Sequence, residues 1–195
     1  MKLLQEMMIE NGAPTLAGIK TGNIFSVKSR GEEIKNEIRK MNGILTKHGL
    51  RMIPVRKMKR HTLVYLYRPD RLKEDLCRPE AACILAEKGY CSKNPETCVV
   101  QLIKHLSRDA EFPHEIGLFL GYPPSDVKCF MENPHDGVKC VGCWKAYSNQ
   151  EEAKRTFEEF RRCTDRYRRE AENGKTLEEL ITEGGEDEQL LDVAI

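Results

Sequence analysis

The run Leu63-Val64-Tyr65-Leu66-Tyr67 carries no charge and presents apolar groups on both faces of an extended chain. Side chains alternate across a strand, so such a segment must be covered on both sides, as a central strand is. His61 to Tyr67 is therefore predicted as a central strand. Leu50 to Val55 precedes it as a second strand, through the basic connection Arg56-Lys57-Met58-Lys59-Arg60, which is longer than the tightest hairpin loops. A third strand is expected within GVKCVGCWKAYS, Gly137 to Ser148.

The cover for so small a sheet has to be helical. Ser29 to His48 places Ile34, Ile38, Met41 and Leu45 on one face and ends at Gly49. Asn149 or Ser148 caps a long helix to about Glu172, with Ala153, Phe157, Phe160, Thr164, Tyr167 and Ala171 in its stripe. Shorter helices are predicted over Met1 to Asn11 (ended by Gly12-Ala13-Pro14), Arg71 to Cys77, Pro79 to Lys88, Asn94 to about Arg108, Pro113 to Gly121 and Pro124 to Glu132. Ala13 to Val27 is poor in charge and is expected to pack against the body or line a pocket. The pattern reads as α+β: a helix-rich single domain over residues 1–182 with a small three-stranded antiparallel or mixed sheet. Residues 183–195 form an acidic tail.

Charge says little about partners. The 195 residues carry 32 Lys and Arg against 31 Asp and Glu, a net +1. The tail holds five acids and no cation; with them set aside, the rest of the chain carries +6. Met1 to Gly12 has Glu6 and Glu10 where a secretory leader would need an apolar run, and no stretch approaches a membrane span. A cytoplasmic protein is expected, with no membrane partner. Its eight cysteines then read as thiols or metal ligands. Cys140-Val-Gly-Cys143 is the one close pair and the candidate metal site. A structural zinc would need two more ligands, and none is placed by spacing. Cys83, Cys98 and Cys163 fall near apolar helix faces as small core residues.

The stretch FPHEIGLFLGYPPSDVKCF, Phe112 to Phe130, has helix-turn-helix spacing, with Gly117 allowing close packing and Gly121 making the turn. Its second helix offers Asp126, Lys128, Cys129, Met131 and Glu132, a poor set of donors for base edges. A packed helical pair is favoured over a nucleic-acid reader. Arg51 to Arg60, which contains no acid, is a second candidate for phosphate or RNA. His114 and Glu115 follow Pro113 at a helix start, where unpaired N–H groups could meet an anion and His114 could act as an acid or base. HExxH is absent, because Leu118 stands four residues after His114.

APTLAGIK (Ala13 to Lys20), the Phe112 to Phe130 stretch, KCVGCWKAY (Lys139 to Tyr147) and EEAKRTFEEFRRCT (Glu151 to Thr164), in this order, resemble an uncharacterised bacterial family frequent in anaerobes, catalogued as domain of unknown function 3793. The resemblance covers nearly the whole chain except the tail. It implies no activity, cofactor or substrate. It does place His114, Glu115, Thr15 and Lys20 within family-like motifs, whereas Cys143 stands where an aromatic residue would be expected. The combined expectation is a binding or accessory protein for a small anionic or metal-containing ligand. Thr15 and Lys20 would contact that ligand together with the His114-Glu115 turn. An enzyme using His114 and Glu115 as catalytic groups is the alternative, and a nucleic-acid regulator acting through residues 112–130 the third.

Overall fold

In the computed structural model, the run from Leu63 to Tyr67 is the middle of a sheet. The structure describes residues 2–28, 32–90, 94–108 and 112–182. The fold is α+β and helix-rich, with a three-stranded antiparallel sheet. The chain divides into two compact units, one of residues up to 69 and from 160, the other of residues 70–159.

In the first unit, β1 (Gly22–Lys28), β2 (Arg51–Lys57) and β3 (His61–Tyr67) lie in the order β1-β3-β2. Val64, Tyr65 and Leu66 have no exposed surface. The third strand is thus β1, drawn from the segment read as a packing loop, and not Gly137 to Ser148. Its register on β3 runs from Gly22 opposite Tyr67 to Lys28 opposite His61. Phe25 and Val27 alternate inward on it, as a half-buried strand requires. β2 is an edge strand, which accommodates Pro54 without losing a ladder donor. A register shift between Pro54 and Arg56 breaks its alternation, so Met52 and Val55 both point to the core. The connection to β3 is tighter than predicted: Lys57 pairs with Thr62, and the Met58 N–H donates to the His61 carbonyl at 2.8 Å.

Helix α1 (Lys2–Leu16) passes the expected stop at Gly12 and continues through Pro14. Gly12 is a packing position and not a terminator: a Cβ there would sit 2.7 Å from the Leu66 side chain. The helix end is closed from β3's side of the chain. Arg68 donates from Nε to the Thr15 carbonyl at 2.8 Å and from its terminal nitrogens to Leu16 at 2.5 Å and His48 at 3.4 Å. This satisfies carbonyls that a helix C-terminus leaves unpaired. Helix α2 (Glu32–Leu45) buries the predicted Ile34, Ile38, Met41 and Leu45, and Gly49 ends the following 3-10 turn at φ 67°.

Helices α3 (Pro69–Cys77), α4 (Pro79–Glu87), α5 (Pro95–Arg108), α6 (Ile116–Phe119) and α7 (Pro124–Glu132) lead to two short strands, β4 (Cys140–Val141) and β5 (Lys145–Ala146). Among the described residues these strands pair only with each other. Helix α8 (Gln150–Glu172) is capped by Asn149, whose side-chain oxygen takes the Glu152 N–H at 3.2 Å. Its later turns bury Cys163 and Tyr167 in the first unit's core, and the Tyr167 hydroxyl donates to the Leu180 carbonyl at 2.9 Å. A last helical segment, 177–182, opens with reciprocal bonds between Thr176 and Glu179, a capping box. Cys98 is buried as expected, whereas Cys83 is exposed on the outer face of α4. Among the described residues no helix is long and apolar enough to cross a membrane. The acidic tail lies outside the described residues.

Arg68→Ala removes a charged fork from the end of α1, so stability should fall by about 2 kcal/mol. Arg68→Lys should recover only part of it, because an ammonium cannot reproduce the fork. Urea unfolding of the two variants beside the wild type measures both losses.

Candidate functional site

The Phe112 to Phe130 stretch folds as a tight helical pair in the second unit. Ile116, Gly117, Leu118 and Phe119 are all buried. A Cβ on Gly117 would come within 2.8 Å of Val127 on α7, and Gly121 turns the chain at φ 78°. The predicted close approach and turn are both present. Asp126 differs from expectation: it points inward and is 2% exposed.

The reason is a set of donors from the hairpin β4–β5 and the chain after it. The Asp126 carboxylate accepts from Trp144 Nε1 at 2.8 Å, the Tyr147 N–H at 3.0 Å, the Ser148 N–H at 2.9 Å and the Ser148 hydroxyl at 2.8 Å. Burial opposes its charge, but these bonds outweigh burial and hold its pKa below the ordinary carboxylate value. Trp144 is thereby fixed. Its ring stacks on Tyr122 at 5.0 Å and meets the Phe157 edge at 4.5 Å. Gly142 of the Cys-Val-Gly-Cys turn lies flat on Phe157, where a Cβ would fall 2.3 Å from the ring. The turn's spacing is thus tied to aromatic packing.

Between this turn and the helical pair lies an open cavity of about 340 Å³. Its walls are mainly Phe112, Ile116, Tyr122, Phe130 and Trp144, with His114 and Lys145 as its cationic or basic groups. Phe112 is 43% exposed and Val141 69% exposed at this cavity, unusual for large apolar side chains on one small surface. His114 is exposed and stands edge-on to Phe130 at 5.0 Å. Lys145 sits 5.5 Å over the same ring and donates to the Pro134 carbonyl at 2.8 Å. Burial drives the Tyr122 phenol pKa up, and the neighbouring Cys143 adds to the rise, so this hydroxyl stays protonated.

His114 and Glu115 part company. Both precede α6, which has only four residues. The N–H groups of Ile116, Gly117 and Leu118 are taken by the carbonyls of Pro113, His114 and Glu115. The N–H groups of the first turn of this short helix are thus bonded within the chain. Glu115 is 5% exposed and turns inward, accepting from the Tyr90 hydroxyl at 2.9 Å and facing His105 Nδ1 at 3.4 Å. Tyr90 also packs against His105 edge-on. Sequence reasoning missed His105 and Tyr90, although His105 follows Leu102 by one helical turn on α5.

Thr15 and Lys20 belong to the first unit, His114 and Glu115 to the second. Thr15 is fully buried and donates its hydroxyl to Asn23 Oδ1 at 3.1 Å, tying α1 to β1. Lys20 is 6% exposed and its ammonium lies 5.6 Å from the Phe160 ring centre. Cys140 is half-buried, with its sulfur 3.9 Å from the Gln150 carbonyl, while Cys143 is exposed at the cavity. Among the described residues, no three His, Cys, Asp or Glu side chains gather as a metal set, around this pair or elsewhere.

Asp126→Asn should cost about 2–3 kcal/mol at neutral pH, since one oxygen and the charge facing four donors are lost. Because the folded pKa is depressed, the wild-type advantage is complete above the unfolded value of about 3.9 and disappears as pH falls through the lower folded value. Urea titrations of both proteins between neutral and strongly acid pH should show the gap closing only on the acid side.

No curated protein and no solved structure matches the chain. The family model described as "Protein of unknown function (DUF3793)" matches residues 8–181, and the chain belongs to that family.

Proposed function

We propose that this protein is a binding or accessory protein whose second unit takes a small, flat, largely apolar molecule carrying an anionic group. The observation that carries this reading is the aromatic cavity of about 340 Å³ held open by the Asp126 hydrogen bonds. Its size is at the lower end for small-molecule sites, which are mostly apolar with a few placed polar groups. Those groups here are His114 and Lys145. Lys145 gives one donor to Pro134 and has others to offer a ligand. Asp126, the one acid among the cavity's described lining residues, already faces four donors and so is not open to a cationic ligand. We read the setting as cytoplasmic, where exposed thiols such as Cys77 and Cys143 stay reduced.

Trp144 is the chain's single tryptophan and lines the cavity, so its fluorescence reports occupancy directly. Naphthalene sulfonate should quench it, and His114→Ala should weaken that binding about tenfold, the loss of one charge-assisted contact. Uncharged naphthalene should bind His114→Ala and wild type alike. Equal affinity for anionic, neutral and cationic naphthalenes, or no quenching by any of them, would overturn the proposal.

A further inference from the structure

The first unit has a second concave surface, unrelated in chemistry to the aromatic cavity. A groove of about 1020 Å³ runs between the start of α1, the end of β1, α2 and the β2–β3 turn. Its strand-side wall is basic: Lys28, Lys57, Lys59 and Arg60, with His61 beside them. Lys59 and Arg60 form no ion pair among the described residues. Its two acids, Glu33 and Glu37, both stand on α2. The groove is therefore polarised across its width. It also exposes apolar surface, since Leu3 is 55% and Met58 42% exposed, next to the buried Val27 and Ile34.

These features ask for an occupant that is acidic and apolar together. Nucleic acid fits poorly, because the described lining has no Phe, Tyr or Trp for stacking and places two carboxylates in the path of a phosphate backbone. The chain itself carries a segment of the right chemistry. Residues 183–195 read EGGEDEQLLDVAI, with Glu183, Glu186, Asp187, Glu188 and Asp192, no cation, and Leu190, Leu191, Val193 and Ile195. The segment lies outside the described residues. It follows directly on the helical segment 177–182, whose Leu177, Leu180 and Ile181 belong to the first unit's core. Fully extended it reaches about 40 Å, more than the diameter of about 35 Å usual for a unit of about 100 residues. Residues 183–195 also fall beyond the family match, which ends at 181.

We infer that the groove is a docking site for the chain's own acidic C-terminal segment, with its carboxylates on Lys57, Lys59 and Arg60 and its apolar residues against Leu3 and Met58. The contact is charge-led and partly exposed, so salt weakens it.

The test is zero-length carbodiimide cross-linking of the full-length chain at low concentration, followed by peptide mapping of the monomer band. The expected product joins a tail carboxylate to Lys57 or Lys59. Its yield should drop at least about fivefold in 0.5 M salt, where the screening length is about 4 Å. The variant K57E/K59E/R60E should lose it, and adding E186K/D187K/E188K to that variant should restore a link of reversed polarity. Circular dichroism of each variant guards against a folding defect, and the salt arm needs no variant. Tail links that map elsewhere, or that occur only in a dimer band, would overturn the inference; so would a failure of the reversed pair to restore them.

Discussion

The Asp126 carboxylate accepts four hydrogen bonds from a hairpin and the two residues after it, and the hairpin's strands have only two paired residues each. A ladder that short does not hold a fixed geometry by itself. What fixes it is the combination of a buried acceptor and donors that would be unsatisfied without it. One of the four is the buried backbone N–H of Tyr147, and a buried amide without a partner costs as much as a lost hydrogen bond. The carboxylate is equally dependent on the donors, since burial alone would push it toward neutrality. Each side therefore makes the other affordable, and the placement of Trp144 follows. From Trp144 come the stack on Tyr122, the edge contact on Phe157 and the requirement for Gly142. The cavity wall is a consequence of one acid.

The first unit obeys a different constraint. Its middle strand is apolar on both faces, so both neighbouring strands and the covering helix are dictated by burial. The face carrying Leu66 takes α1 so closely that Gly12 has no room for a side chain. Arg68, immediately after β3, then closes the end of the same helix. Strand and helix are tied twice within a few residues, once by packing and once by a charged fork. That double tie explains why Thr15 is buried and hydrogen-bonded to Asn23: it belongs to the α1–β1 corner that this arrangement creates.

How much of this the sequence revealed depends on the kind of signal. Periodicity found α2, α8 and the central strand, because a core face leaves a repeating trace. Gly117 and Gly121 were readable because a close approach and a left-handed turn each demand glycine. The third strand was missed because β1 follows a helix that runs through Gly12 and Pro14, two residues that normally stop one. Asp126 was misplaced to the surface because nothing local marks a buried acid; its donors come from residues about twenty positions later. The same holds for Glu115, whose partners Tyr90 and His105 precede it by 25 and 10 residues. The candidate site was visible only as the segment around His114, and its walls came from long-range contacts.

The separation of His114 from Glu115 bears on what the second unit can do. Adjacent residues in a turn point different ways, and here one goes to the cavity and the other to the interior. An imidazole acting as a general base needs a neighbour to set its tautomer and orientation. The carboxylate that could do this for His114 faces His105 instead and is bonded by Tyr90. The His114 ring meets the Phe130 ring in a T-shaped contact, an apolar contact that positions the ring without directing its protons. A histidine held this way, on an aromatic wall with a lysine over the same ring, is suited to meeting a negative charge. On the proposed reading, His114 meets the ligand's anionic group at the cavity, while Glu115 is committed to Tyr90 and His105 in the interior.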